Sequence, residues 1–224
     1  FKGSVPVPLL LRAGARELLE ATRDDQGHIW IVDASGSVQR RTEDGLLHEA
    51  GRTAFDIPTL AAGPDGAVWA ARSPRQLTFR PEGSAAPAII RLDSALQTRA
   101  TADTAVVPSN PFLAQLVNAG HVLALADGGA VFAPFIRDEV VRYAADGAVQ
   151  WRLERGLTHA TPDPSLRVVR DSAGRPDVQV DYAPVNLGLA LGPDGRLYVL
   201  STPSATTAES RLDAVDLARG AVTQ

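Results

Sequence analysis

The chain of 224 residues has no cysteine, no methionine and a single lysine, Lys2. Without cysteine there is no disulfide, no thiolate nucleophile and no thiolate-held zinc or iron–sulfur centre. Without methionine even at position 1, the sequence reads as a processed chain or a piece of a longer one. Almost all the basic charge is arginine, a bias that a GC-rich genome produces without any chemical cause. The net charge is −4, whereas a nucleic-acid surface carries a basic footprint. Aromatic residues make up 5%. The apolar run "VPVPLLL" (5–11) is far short of the ~20 residues that cross a bilayer as a helix. Its prolines make it an extended arm, residues 1–17, and the remnant of an export signal would look the same. No Asn precedes x-Ser/Thr, so no acceptor for N-glycosylation is present.

What is present is repetition. "DDQGHIW", "GPDGAVW", "ADGGAVF" and "GPDGRLY" each place a turn glycine (Gly27, Gly66, Gly129, Gly195) before an aliphatic–aromatic pair. The glycines suit two-residue hairpin turns, and the aromatic is expected to pack between neighbouring sheets. A strand of small apolar residues precedes each turn, as in "TLAAG" and "LGLALG". Downstream, "VQRRTEDGLL", "IIRLDSAL", "VVRYAADGAV" and "AVDLARGAV" each read strand, polar turn, strand. Each unit is therefore a four-stranded antiparallel meander of about forty residues, the size of a propeller blade. An isolated meander leaves both faces bare and gains stability only by stacking. "ARELLEAT" (15–22) has a helical look but overlaps the first strand of the first repeat and is assigned to it.

The fold class is thus all-β, a β-propeller of four-stranded antiparallel blades. Four blades are visible, at 18–56, 57–100, 112–156 and 185–224, with an inserted hairpin at 157–184. The pattern resembles the six-bladed propellers of the NHL-repeat and gluconolactonase-like group, whose blades carry an Asp-x-x-Gly-x-aliphatic-aromatic turn. The resemblance covers most of 18–156 and 185–224 and implies six blades in the full ring; the alternative is a four-bladed ring closed by "VPVPLLL" as the missing strand. WD-repeat propellers fit less well, because no Gly-His…Trp-Asp pairing occurs.

Length is not added evenly. Residues 72–87 and 201–210 expand connections between second and third strands, and 101–111 and 156–184 expand connections between blades. Strand alternation puts all four on one side of the disc, where binding surfaces of repeat scaffolds collect. The candidate partner-binding residues come from these segments: Arg75, Leu77, Phe79 and Arg80 in "SPRQLTFR"; Phe135, Ile136 and Arg137 in "APFIRD", with the two apolar side chains expected to be exposed; and Arg167, Arg170 and Arg175 on the hairpin. Apolar and Arg residues together are typical anchors of protein interfaces.

A catalytic constellation is not legible. His28, His48, His121 and His159 fall on different elements without metal-binding spacing. There is no nucleophile elbow, P-loop or dinucleotide fingerprint. The resemblance implies one alternative, a Ca²⁺-dependent lactonase or esterase with a metal at the channel mouth. Oxygen ligands would be needed, and the weak candidates are Asn110, Asn186 and Glu20; Asp127 lies in a turn on the opposite side. The preferred expectation is a non-catalytic scaffold without a cofactor that binds other protein subunits. Its place would be as an exported or periplasmic subunit docked on a membrane-associated assembly of the electron-transfer, photosynthetic or envelope kind. A sugar- or peptide-binding propeller is the third option, with Trp151 and Tyr182 as its spare rings.

Overall fold

The computed structural model describes residues 18–42, 44, 46–77, 87–157, 164–170, 172–204 and 209–223. The expected arm at 1–17 and the candidates Phe79, Arg80 and His159 lie outside them. Four antiparallel sheets of four strands each follow the chain in order. The first contains β1 (Leu18–Arg23), β2 (Ile29–Asp33), β3 (Ser37–Arg41) and β4 (Leu47–Arg52). The second contains β5 (Pro58–Ala62), β6 (Val68–Arg72), β7 (Pro87–Leu92) and β8 (Thr98–Thr104). The third is β9 (Gly120–Ala124), β10 (Ala130–Pro134), β11 (Val140–Tyr143) and β12 (Val149–Leu153). A separate hairpin, β13 (Ser165–Arg170) and β14 (Pro176–Asp181), precedes the fourth sheet: β15 (Asn186–Leu191), β16 (Leu197–Ser201), β17 (Arg211–Asp216) and β18 (Ala221–Thr223). First strands of successive sheets pack together, β1 on β5, β5 on β9 and β9 on β15. They are the inner strands of a β-propeller, and their small residues let the sheets converge.

Three apolar layers fill the blade interfaces. Trp30, Val32 and Val38 meet Leu60, Val68, Ala70 and Ile90. Trp69, Ala71 and Ile89 meet Ala130, Phe132, Val141 and Tyr143. Val131, Ala133 and Val140 meet Leu197, Val199 and Val215. β2, β6 and β10 are buried along their whole length; β6 and β10 each lie mid-blade with a neighbouring blade packed on both faces.

The hairpin corners differ from the expected two-residue turns. Asp24 N–H donates to the His28 carbonyl and Gly27 N–H to the Asp24 carbonyl, closing a three-residue loop with Gly27 at φ +84°. The Asp24 carboxylate accepts from Gln26 N, His28 N and the Trp30 indole, and this fixes the longer loop. Asp93 shapes the β7–β8 turn similarly, accepting from Ala95 N and Gln97 N. In the third blade the residue with positive φ is Gly128, at +81°, and its N–H closes the loop on the Leu125 carbonyl. The corner equivalent to Gly27, Gly66 and Gly195 is therefore Gly128, not Gly129. A one-residue shift exchanges the two faces of a strand. Val131 accordingly faces the fourth blade, and Phe132 turns back onto the second.

Two more boundaries differ from the sequence reading. β8 runs through Thr104, so the blade extends past 100. The stretch "PFLAQLVN", expected to open the third blade, forms a helical turn at Pro111–Leu113 and α1 (Ala114–Asn118). Pro111 supplies a fitting φ, and the Asn110 side chain caps the Phe112 N–H.

Gly36 shows how tightly the β2–β3 turn is set against the link between the first two blades. Its φ is +77°, and an added Cβ would lie 1.7 Å from the Asp56 carbonyl oxygen. Gly174, at φ +76° in the β13–β14 turn, has nothing within 4 Å. Gly36→Ala is expected to destabilise by more than about 2 kcal/mol, against about 1 for Gly174→Ala, where only backbone strain acts. Urea unfolding of both variants checks the difference.

Candidate functional site: the insertion face

The long connections pack on one another. Leu113, Leu116 and Val117, from the segment around α1, bury themselves with Ile136 and are flanked by Leu77, Phe135, Leu166 and Val180. Two strand-to-strand connections and both inter-blade insertions thus share one small apolar core on one side of the disc. Ile136 is 4% exposed, and the Phe135 ring sits between His121 and Tyr182, with centroids 6.2 and 5.9 Å away. The expectation that these two side chains are exposed is thereby corrected. They fasten the insertions, and the Phe135 carbonyl also accepts from Val185 N and Asn186 N.

The hairpin β13–β14 docks by half of one face. Leu166 pairs with Val180 against the insertion core, whereas the next pair, Val168 and Val178, is 68% and 50% exposed. Arg167 faces Asp181 at 3.4 Å, Arg170 donates to the Gly174 carbonyl, and Arg175 stands exposed before β14. Pro74, Arg75 and Leu77 form one wall of a groove of about 320 Å³, and Val178, Val180 and Tyr182 form the other. Arg137 belongs elsewhere, in a recess of about 510 Å³ with Asp138, Glu139, Glu154, Gly156 and Leu157.

Beneath this layer lies a buried polar hub built on Arg155, whose side chain is fully buried. Its Nε donates to Asp138 Oδ1 at 3.0 Å, Nη1 to Ser201 Oγ at 2.6 Å and Nη2 to Asn186 Oδ1 at 2.6 Å, with Asp213 3.7 Å away. The Asn186 amide in turn donates to the carbonyls of Pro134 and Arg137. This hub ties the third blade to the fourth. Burial lowers the Arg155 pKa, opposed by Asp138 and Asp213. The sequence reading passed over Arg155; the one signal for it was Asn186, a lone amide opening a strand of small apolar residues.

The oxygen ligands proposed for a metal are engaged singly. Asn186 Oδ1 accepts from Arg155, and Asn110 Oδ1 caps Phe112 N. The Glu20 carboxylate accepts from Thr59 Oγ1 at 2.9 Å and from Leu60 N at 3.2 Å, bridging β1 to β5. Asp127 pairs with Arg142 on the short-turn side. Among the described residues no three His, Asp or Glu side chains cluster as a metal site would require.

Two titratable groups of the inner strands are shifted. Burial raises the Glu20 pKa, against the hydrogen bonds from Thr59 and Leu60 and the positive charge of Arg75. Burial lowers that of His121, assisted by Arg75 and opposed by the Asn186 carbonyl. That carbonyl only accepts, so His121 Nε2, 3.1 Å away, carries the proton of a neutral ring. Folding favours the neutral imidazole. Stability from His121 is complete above the ordinary value of 6.5 and falls as acid takes the pH down through the folded pKa. Glu20 has the opposite sign: its contribution is present below 4.5 and lost as pH rises through the folded value. His121→Gln is expected to flatten the loss of stability below pH 6.5, as read from urea midpoints across pH.

No family pattern matches the sequence, and no curated protein is similar to it. Solved structures are similar in fold. One is a protein of unknown function from Bacteroides caccae, with TM-score 0.50 and 12% identity over 93% of this chain and 60% of that one. Another is the WD40 β-propeller domain of Doa1, with TM-score 0.47 and 11% identity over 82% and 47%. A third is regucalcin, a calcium-binding protein from Agrobacterium tumefaciens, with TM-score 0.45 and 9% identity over 92% and 59%. The chain spans about 60% of the length of the first of these. At such identities the likeness concerns the fold alone.

Proposed function

We propose that the protein is a non-catalytic binding propeller whose insertion face receives another protein subunit, within an exported, membrane-associated assembly. The reading is carried by one observation: four separate connections, three of them expanded, converge into a common apolar layer that leaves Val168, Val178 and Tyr182 exposed above it. A hairpin of two strands is marginal alone, and an aliphatic pair held out from the disc is an anchor seeking cover. The polar residues of the inner strands are spent on ties between blades, as Glu20 and Asn186 illustrate, which suits a scaffold.

The test is photo-crosslinking in extracts of the native host. A crosslinker at Val168 is expected to capture a defined subunit that one at Asp194, on the short-turn side, does not. Capture from Asp194 alone, or equal capture from both, would refute the choice of face. The protein should also keep its melting temperature when Ca²⁺ is added, whereas a calcium site would raise stability by ~2.7 kcal/mol at a hundredfold excess over Kd.

A further inference from the structure

The groove between the 74–77 connection and β14 has one chemical character along its length and another at one wall. Pro74, Leu77, Val178, Val180 and Tyr182 are apolar or aromatic, while Arg75 is charged. The Arg75 side chain is exposed, and its guanidinium makes no hydrogen bond or ion pair among the described residues. The Glu20 carboxylate, which feels the Arg75 charge, is held by Thr59 and Leu60. A segment laid along the apolar walls would cover this arginine from water, so its carboxylate would meet the guanidinium in a less polar medium than bulk water and could engage its fork bidentately.

The opposite wall sets the shape of what fits. Val178, Val180 and Tyr182 alternate along the chain, so they line one face at the spacing of a strand. An extended segment matches that spacing, dropping every second side chain between the residues, whereas a helix presents its side chains at intervals of three and four. Resting on the reading of this face as a docking side, we infer that the groove receives an extended segment of the partner in which an Asp or Glu, flanked by aliphatic residues, pairs with Arg75. With the segment seated, Tyr182 and Leu77, which line the same groove, would limit the access of water to that charge.

The probe is a blocked Val-Leu-Glu-Val-Leu peptide, with its Gln and Lys counterparts, titrated into isotope-labelled protein and followed by backbone amide shifts. The Glu peptide is expected to move the amides of Leu77, Val178, Val180 and Tyr182 and to bind about tenfold more tightly than the Gln peptide. Arg75→Gln should abolish the difference, and Arg75→Glu should transfer the preference to the Lys peptide. Equal binding of the three peptides, shifts confined to other surfaces or absent altogether, or octanoate binding as tightly as the Glu peptide would each overturn the assignment. Crosslinking through Val168 that persists in such a case would leave the docking face in place and remove only the acidic motif. Loss of that crosslinking removes the face itself.

Discussion

Replacing Arg155 by methionine is expected to lower the free energy of unfolding by about 3–5 kcal/mol, the range found when one partner of a buried charge network is removed. For a chain of this size that is a fall of about 10 °C in Tm. The size follows from what the guanidinium leaves behind. Asn186 Oδ1 and Ser201 Oγ lose a donor in a fully buried place, and Asp213 Oδ2, already without a hydrogen bond, loses its nearest positive charge on that side. Asp213 keeps Arg211 at 2.8 Å, and Asp138 keeps the N–H groups of Arg155 and Leu157, so the collapse is local to the joint between the third and fourth blades. Arg155→Lys separates charge from geometry. The arginine uses Nε and both Nη atoms toward three partners, and an ammonium on a single stem cannot reproduce that fork. Lysine should therefore recover less than half of the loss. A cost below about 1 kcal/mol for methionine would place the pair among exposed salt bridges in energy and remove the hub as a structural element.

The blades were legible because their signals are local. The glycine corner, the strand of small residues and the aliphatic–aromatic pair lie within a dozen positions of one another, so Trp30 and Trp69 could be placed at blade interfaces from the sequence. The third corner was misplaced because "ADGGAVF" offers two adjacent glycines and only backbone conformation distinguishes them. Phe132 looked like the counterpart of Trp30 and faces the other way. The insertion core was invisible for a different reason. Leu77, Leu116, Ile136, Leu166 and Val180 belong to five segments without shared spacing, and only the closed meander carries them to one side. Arg155 is of the same kind: its partners lie 17, 31 and 46 residues away. Sequence patterning found the side on which function was sought and missed what holds that side together.

The corrected register carries a quantitative consequence. Counting three residues from the positive-φ glycine gives Trp30, Trp69, Val131 and Tyr198 as equivalents, and the first three each face the following blade. Trp69 is buried there, its indole donating to the Gly128 carbonyl across the interface at 3.0 Å. Trp69→Ala is expected to cost about 3–5 kcal/mol, the toll of a large buried ring leaving a cavity. Tyr198 occupies the same register on the outer face of the fourth blade, with Leu200 and Leu212 exposed beside it at 37% and 62%. Its hydroxyl bonds to Asp194 within its own turn. With no blade layer on that face among the described residues, Tyr198→Ala should cost about 1 kcal/mol or less, as surface changes do. Chemical denaturation of both variants under one set of conditions gives the ratio. Similar losses would mean that Tyr198 is as well covered as Trp69, and the equivalence of burial with register across the four corners would fail. A large difference establishes that each corner aims its third residue forward and that stability comes from what the next sheet supplies.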